Sequence, residues 1–276
     1  VTYFLSQQFD KAVSDFDRYI RKEPKDPTAY LNRGASWLFL GDTLKAVTDY
    51  NKAIRLDRFD PEGYVRRGRL YATQKKYDLA IADMDKAIEL DTTNTFAYFN
   101  RAIMHYEQEN YREAMSDLNR VLEDEPGNAL TLYNRGLISA QLGAYEDALN
   151  DMDSVLNINP QNVLAYFNRA SIFIELRQYK NALEDYDKAI ELYPTYTDAW
   201  VRKGITLFNE KEYYKAEVCL NEAVRLSPML FKAVYNRGKI RLALDNIEGA
   251  LGDLDRAISL KPEHPKAHEL FGDALM

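Results

Sequence analysis

Cysteine and histidine, on which many catalytic and metal sites depend, are scarce in this chain of 276 residues. Cys219 is the one cysteine, and the three histidines are His105, His264 and His268. A lone cysteine cannot form an internal disulfide, so the sequence leaves the localisation of the protein unknown. His264 and His268 are four residues apart, but no third ligand lies near them in the sequence. We therefore expect no metal site and no cofactor.

Basic charge and long apolar runs are lacking too. The chain has 36 lysines and arginines against 43 aspartates and glutamates, a net charge of -7, which disfavours binding to nucleic acid. No apolar run approaches the roughly 20 residues that a membrane helix needs, so we expect no membrane insertion. The sequence also has no nucleophile beside a base and no glycine-rich phosphate loop. We therefore expect no catalytic residues and no enzymatic activity.

What the chain does have is an internal repeat of 34 residues. A small residue recurs at this interval in one series: Gly34, Gly68, Ala102, Gly136, Ala170, Gly204, Gly238 and Gly272. Alanine recurs at the same interval in a second series: Ala12, Ala46, Ala80, Ala114, Ala148, Ala182, Ala216 and Ala250. Apolar residues follow helical spacing within each repeat, with a break near Arg177 and Gln178 in one of them. The pattern predicts a helical hairpin in which small residues let the two helices approach closely.

Two small residues about a helix apart, repeated every 34 residues and followed by a proline near the end of the unit, resemble the tetratricopeptide repeat. The resemblance covers the full chain and implies an all-α, right-handed superhelical solenoid of antiparallel helix pairs. We expect a single array over residues 1–276. Its seven full repeats are expected at 27–60, 61–94, 95–128, 129–162, 163–196, 197–230 and 231–264, with partial repeats at 1–26 and 265–276. Since Val1 and Met276 both fall inside a repeat, we also expect the chain to be part of a longer protein.

Helix-start signals support these boundaries. Residues whose side chains can cap a helix precede five of the expected starts: Asp26, Asp60, Asn94, Asn128 and Asn162. Proline occupies the first helical turn at Pro27, Pro61 and Pro265. Each first helix is therefore placed independently of the repeat count.

The seventh position of each repeat holds a cation, where the family commonly has leucine: Arg33, Arg67, Arg101, Arg135, Arg169, Lys203 and Arg237. A half-buried cation needs a partner. An aspartate lies sixteen residues later in most repeats: Asp49, Asp83, Asp117, Asp151, Asp185 and Asp253. The repeat with Lys203 has Cys219 in place of that aspartate. We therefore predict an ion pair within each repeat, and a contact with the neighbouring repeat is an open alternative.

In this family the first helices line the concave face. The resemblance implies that the sixth residue of each repeat points inward: Asn32, Arg66, Asn100, Asn134, Asn168, Arg202 and Asn236. The fifth position adds the aromatic residues Phe99, Tyr133, Phe167 and Tyr235. The asparagine row resembles the asparagine ladder in the repeat domain of O-GlcNAc transferase, although Arg66 and Arg202 interrupt it. An amide offers a donor and an acceptor, which match one peptide unit. The equally open alternative is that asparagine here is only the family's consensus residue.

The middle of the expected groove is apolar, through Phe96, Ile103, Tyr106, Leu130, Leu137, Leu164 and Ile174. Basic residues flank it: Arg66, Arg69, Arg202, Lys232 and Lys239. Acidic residues dilute this charge: Glu62, Glu107, Glu175 and Asp198. Lysine at the fifth position and asparagine at the ninth, which form the carboxylate clamp of chaperone-binding members, occur in no repeat. A C-terminal chaperone tail is therefore disfavoured.

We accordingly expect a non-enzymatic scaffold that binds an extended peptide segment of another protein in its concave groove. One alternative is a targeting or regulatory domain of a larger enzyme, or of a secretion or assembly machine. A further alternative is a self-associating assembly, a homo-oligomer formed through exposed repeat ends.

Overall fold

The computed structural model describes residues 8–276, and every regular element in that range is an α-helix. The first helices of the repeats are α2 (Pro27–Phe39), α4 (Pro61–Thr73), α6 (Thr95–Glu107), α8 (Ala129–Gln141), α10 (Val163–Glu175), α12 (Thr197–Asn209), α14 (Phe231–Ala243) and α16 (Pro265–Leu275). The second helices are α1 (Phe9–Lys22), α3 (Thr43–Leu56), α5 (Tyr77–Leu90), α7 (Tyr111–Asp124), α9 (Tyr145–Ile158), α11 (Tyr179–Leu192), α13 (Tyr213–Leu226) and α15 (Ile247–Leu260). The all-α class of paired helices is thus confirmed. Residues 1–7, which begin the expected partial repeat 1–26, lie outside the described residues.

The chain divides into two compact units between Ile138 and Ser139, inside α8. Within each unit the two helices of a repeat pack against each other, and a second helix packs against the first helix that follows it. Short connections of three or four residues force neighbouring helices to run antiparallel. That the two units belong to a single array over residues 1–276 stays a prediction.

Five first helices begin at a side-chain cap, as the sequence predicted. In each case the cap oxygen accepts a hydrogen bond from a backbone N–H in the first turn, and the caps are Asp26, Asp60, Asn94, Asn128 and Asn162. The starts of α12, α14 and α16 differ, because Tyr196, Leu230 and His264 precede them and form no side-chain cap. Three successive first helices of the second unit therefore begin without a side-chain cap.

The two series of small residues face each other inside the hairpins. A Cβ atom added to Gly68 would lie 2.8 Å from Cε of Met84 and 3.1 Å from the carbonyl oxygen of Ala80. One added to Gly204 would lie 2.9 Å from Cγ of Leu220. The alanines of the second series are 0–1% exposed. These residues have the packing role that the sequence predicted, since there is no room for a larger side chain. Gly272 is an exception, because no atom lies within 4 Å of a Cβ added there.

Each turn between a first and a second helix contains one residue in the left-handed conformation. These residues and their φ angles are Gly41 (82°), Lys75 (58°), Glu109 (61°), Gly143 (79°), Arg177 (59°), Lys211 (63°) and Asp245 (60°). Such φ values are unfavourable for residues with a Cβ atom and cost glycine little. Five turns therefore carry local strain that the surrounding packing holds in place.

The arginine at the seventh position binds the predicted aspartate through two parallel hydrogen bonds. Nε donates to Oδ2 at 2.7–2.9 Å and Nη2 to Oδ1 at 2.6–2.7 Å. The pairs are Arg33–Asp49, Arg67–Asp83, Arg101–Asp117, Arg169–Asp185 and Arg237–Asp253. The aspartate side chains are only 5–7% exposed. The pair predicted within each repeat is confirmed for these five.

The same guanidinium also reaches the preceding repeat. Nη1 donates at 2.5–3.1 Å to a side-chain oxygen sixteen residues earlier, in the pairs Arg33–Asp17, Arg67–Asn51, Arg101–Asp85, Arg135–Asn119, Arg169–Asp153 and Arg237–Asn221. A contact with the neighbouring repeat, which the sequence left open as an alternative, is therefore formed as well. Each of the five arginines that bind an aspartate in their own repeat therefore joins three helices. Hydrogen bonds to Asp117 and Asp85 raise the pKa of Arg101.

The sixth full repeat has lost half of this arrangement. Lys203 keeps the contact with the preceding repeat through its ion pair with Asp187. Cys219 is 3% exposed and replaces the buried aspartate. Burial raises the pKa of the Cys219 thiol, which favours the unreactive protonated form.

A first prediction concerns helix spacing in the second unit. Ala182→Leu should lower the free energy of unfolding by about 1–3 kcal/mol, because Ala182 is 0% exposed and the added atoms overpack the hairpin. Lys180→Leu, two residues away with its side chain 89% exposed, is the matched control and should change stability by less than about 0.5 kcal/mol. Urea unfolding followed by circular dichroism measures both, and equal midpoints would contradict the assigned packing.

A second prediction concerns the left-handed turns. Gly41→Ala should destabilise the protein by about 1 kcal/mol for backbone reasons alone, since no atom lies within 4 Å of the added Cβ. Arg177→Gly should instead stabilise by about 0.5 kcal/mol, because the strain removed exceeds the entropy lost by glycine. Arg177→Ala, which keeps the strain, is the control. Thermal unfolding with opposite signs for Gly41→Ala and Arg177→Gly is the expected result, and the same sign for both would contradict it.

A third prediction concerns the arginine arrangement. Cys219→Asp alone should destabilise by on the order of 2 kcal/mol, because it buries a carboxylate whose nearest cation, Lys203, already binds Asp187. Adding Lys203→Arg should recover most of that loss, because it restores the bidentate arginine–aspartate ion pair of the other repeats. A double-mutant cycle in urea should give a favourable coupling of about 1–3 kcal/mol. Additive effects would show that the pairs do not stabilise the repeat.

Candidate functional site

One surface of each unit is formed mainly by side chains of the first helices. We call it the first-helix face and define it by the second, fifth, sixth, ninth, twelfth and thirteenth residues of those helices. The two units each have a cavity lined largely by residues at these positions. The cavities bring together some of the predicted site residues, namely Arg66 in the first unit and Phe167, Arg202, Tyr235 and Asn236 in the second. The lining of neither cavity includes Asn32, Phe99, Asn100, Tyr133, Asn134 or Asn168.

In the first unit the cavity has a volume of about 480 Å³ and lies between α2, α4 and α6. Its apolar wall comes from Leu38, Phe39 and Phe96, and its polar wall from α4. Nε of Arg66 donates to Oε1 of Glu62 at 2.6 Å. The guanidinium of Arg69 lies 5.2 Å from the centre of the Phe96 ring. The basic residues expected at this end of the groove are thus engaged by the protein itself.

In the second unit the cavity has a volume of about 620 Å³ and lies between α12, α14 and the C-terminal end of α15. Arg202, Lys232 and Lys261 line it, and all three are exposed. Phe231 and Tyr235 stack at 5.4 Å, and the His264 ring lies 4.6 Å from Phe231. This cavity therefore combines cations with an aromatic wall.

The asparagines at the sixth position share one local geometry. Nδ2 donates to the carbonyl oxygen four residues earlier in the same helix, at 2.7 Å for Asn100, Asn134 and Asn236 and at 2.9 Å for Asn168. This bond uses one of the two N–H groups and none of the acceptor capacity of Oδ1. It holds each amide in a fixed orientation against the helix.

The sixth-position residues occur on successive first helices in each unit. The first unit has Asn32 on α2, Arg66 on α4, Asn100 on α6 and Asn134 on α8, and the second has Asn168 on α10, Arg202 on α12 and Asn236 on α14. The expected interruptions at Arg66 and Arg202 differ from each other, since Arg66 is bound by Glu62 and Arg202 is exposed.

The aromatic residues at the fifth position are half-buried and contribute to the core. Phe99 packs against the cluster that contains Ala102 and Leu118. Phe167 packs against Tyr186 at 5.8 Å and Tyr196 at 5.0 Å. Tyr133 and Tyr235 are half-buried as well. These rings form the floor of the face, and only part of each ring is available to another molecule.

The residues at the second position are much more exposed. Phe96 is 48% exposed, Leu130 60% and Leu164 50%. Their backbone carbonyls are the oxygens that accept from Asn100, Asn134 and Asn168. An exposed apolar side chain therefore lies one helical turn from each of these amides.

Two of the histidines, His264 and His268, have structural roles. A ring nitrogen of His268 lies within hydrogen-bond distance, 2.7 Å, of the carbonyl oxygen of Pro262. At the same repeat position, Tyr30 and Trp200 donate equivalent hydrogen bonds to the carbonyl oxygens of Pro24 and Pro194. His264 packs as an aromatic ring. Across residues 8–276 no group of three or more His, Cys, Asp or Glu residues is arranged to hold a metal ion.

Two lining residues of the second cavity escaped the sequence reasoning. Lys261 and His264 lie after α15, outside the first helices from which inward positions were counted. The signal in the sequence was His264 itself, which occupies a position where most repeats have a capping aspartate or asparagine.

Family models described as tetratricopeptide repeat match residues 3–61 and 99–163, 61–94, 163–196 and 197–228. No curated protein matches the sequence significantly. Within the described part of the chain, no helix has the length and apolar character needed to cross a membrane.

Several solved structures are similar. A tetratricopeptide repeat protein from Parabacteroides merdae is 23% identical, with a TM-score of 0.68, and the match covers 91% of this chain and 99% of that one. The APC/C hetero-tetramer Cut9–Hcn1 gives 17% identity and a TM-score of 0.64 over 100% of this chain and 54% of that one. The pilF protein of Pseudomonas aeruginosa gives 21% identity and a TM-score of 0.64 over 76% and 96%. At these identities the likeness supports the fold alone.

Proposed function

Because the chain belongs to the tetratricopeptide repeat family, whose repeats generally mediate protein–protein interaction, we propose that its first-helix faces bind an extended segment of another protein. Proteins of this family are typically non-catalytic scaffolds, and this role fits the present chain. The observation that carries the proposal is the pairing of an exposed apolar residue with an oriented amide on successive first helices.

In the first unit this pairing occurs on α6 and α8. Phe96 and Leu130 expose about half of their surface or more, which is costly in water unless a partner covers it. One turn away, Asn100 and Asn134 hold their amides against the helix with Oδ1 uncommitted in that bond. A peptide backbone needs both a donor and an acceptor, and an amide offers both. In the second unit Leu164 and Asn168 have the same relation on α10.

The half-buried rings at the fifth position have two roles in this proposal. Removing Phe99 or Phe167 would leave a cavity in the core, so these rings support the face as well as contact a ligand. Selection of peptide side chains is better assigned to the second position, which varies along the chain: Thr28, Glu62, Phe96, Leu130, Leu164, Asp198 and Lys232.

A fourth prediction tests this proposal by selecting peptides from a displayed random library on the full chain. Replacing Asn100 and Asn134 by Ala should weaken all selected peptides alike, by about tenfold, because two backbone hydrogen bonds are lost. Replacing Phe96 and Leu130 by Ser should instead change which peptides are preferred, since side-chain contacts set selectivity.

The matched controls are Leu44→Ser and Leu79→Ser. Leu44 is 81% exposed and Leu79 52% exposed, but both lie on second helices of the same unit. They should leave affinity and preference unchanged, and circular dichroism checks that every variant is folded. Unaltered binding in both first-helix variants would eliminate this face as the site. A molecular mass that rises with protein concentration would support assembly between copies instead.

A further inference from the structure

The cavity of the second unit is distinguished by cations that the protein leaves unneutralised. Arg202, Lys232 and Lys261 line it and form no ion pair with any described residue. Other cations of this unit do form ion pairs, as in Lys188–Glu191, Lys203–Asp187, Lys215–Glu212, Arg225–Glu222 and Arg237–Asp253. Asp198 is the acidic residue among the lining side chains. The cavity thus has excess positive charge in a chain whose net charge is -7.

An aromatic wall lies beside these cations. Nζ of Lys261 lies 5.0 Å from the centre of the Phe231 ring. Phe231 stacks on Tyr235, and His264 packs against both rings at 4.6 and 5.2 Å. An apolar wall lowers the local dielectric, so attraction to an anion in the cavity is stronger than on an open surface.

The cavity of the first unit provides the comparison. It also contains two arginines, but Arg66 is bound by Glu62 and Arg69 stacks on Phe96. One of its two cations is therefore neutralised by a carboxylate, whereas none of the three in the second unit is, and Arg69 lies over a ring as Lys261 does. The two cavities are similar in size, and both have aromatic walls. They differ in the number of cations that have no carboxylate partner within the protein.

We propose that the cavity formed by Arg202, Lys232, Lys261, Phe231 and Tyr235 binds an acidic stretch of the partner's extended segment. The inference rests on the proposed function and names the ligand chemistry for one unit. Glutamate or aspartate carboxylates accept hydrogen bonds from the Arg202 guanidinium and the two ammonium groups, while the methylene groups of the peptide pack on the rings. Three cations are too few, and the chain too acidic, for a nucleic acid or membrane surface.

A fifth prediction uses the full chain and a blocked peptide that alternates glutamate and threonine, which favours an extended backbone. Its counterpart has glutamine in place of every glutamate. Fluorescence anisotropy should show about tenfold tighter binding of the glutamate peptide, and the ratio should fall as salt is added. The triple variant Arg202→Gln, Lys232→Gln, Lys261→Gln should bring the ratio to about one. The control Lys180→Gln, Lys188→Gln, Lys215→Gln removes equal charge from the second helices of the same unit and should keep the ratio.

One further variant tells an effect of the cavity's charge on binding from an effect of unfolding. His264→Asp places a carboxylate beside Lys261 and restores the cap residue typical of the other helix starts. Helix content should be retained while the glutamate-to-glutamine ratio falls severalfold. An unchanged ratio in this folded variant would count against the inference.

The remaining outcomes distinguish the inference from the proposed function. Equal affinity of the wild type for both peptides, or a ratio that survives in the triple variant, would overturn the inference and leave peptide binding intact. Binding only when the threonines are replaced by phosphoserine would overturn the carboxylate ligand in favour of phosphate. Failure of the library to yield any binding peptide would overturn the proposed function itself.

Discussion

The guanidinium at the seventh position, present in every full repeat except the one with Lys203, is the contact on which the arrangement of helices depends. In the third full repeat, Arg101 fixes its own second helix through Asp117 and the preceding one through Asp85. Because the guanidinium is planar and its donors are fixed, the three bonds set both the spacing and the rotation of the helices they join. The buried aspartate cannot lose this partner without leaving an uncompensated charge, which is far costlier than losing a surface ion pair.

Each first helix has a packed side and an exposed side. In α6, Arg101 and Ala102 face the second helices and are constrained by packing, whereas Phe96 and Asn100 lie on the exposed side. The residue at the second position varies among polar, acidic, apolar and basic types along the chain, while the first helices from α2 to α14 keep the same length. The exposed side can therefore differ from repeat to repeat while the packed side stays constant.

Structural features that recur at a fixed interval within one repeat could be predicted from the sequence. Features that depend on which residues are neighbours in the folded structure could not. Helix starts, the small-residue packing and the pair of Arg169 with Asp185 all follow from counting within one repeat. The contact of Arg67 with Asn51 was only an open alternative, because the receiving position alternates between aspartate and asparagine and shows no constant charge. The left-handed residue in each turn was missed, since glycine marks it in only two of seven turns. The half-burial of the fifth-position rings was likewise not evident from the sequence, because a position that points inward can still touch the core.

The cavity of the second unit shows how a change in capping alters the charge of a neighbouring site. A capping aspartate before α16 would stabilise the helix start by about 1 kcal/mol, but it would also place a carboxylate next to Lys261. His264 forms no such hydrogen bond and packs on Phe231 at 4.6 Å instead, as Tyr196 packs on Phe167 at 5.0 Å two repeats earlier. Ring packing of this kind is worth about 0.5–1.5 kcal/mol and so offsets the missing cap. A histidine in place of a capping residue is thus nearly neutral for folding. Its main consequence is electrostatic, because no carboxylate is placed beside Lys261.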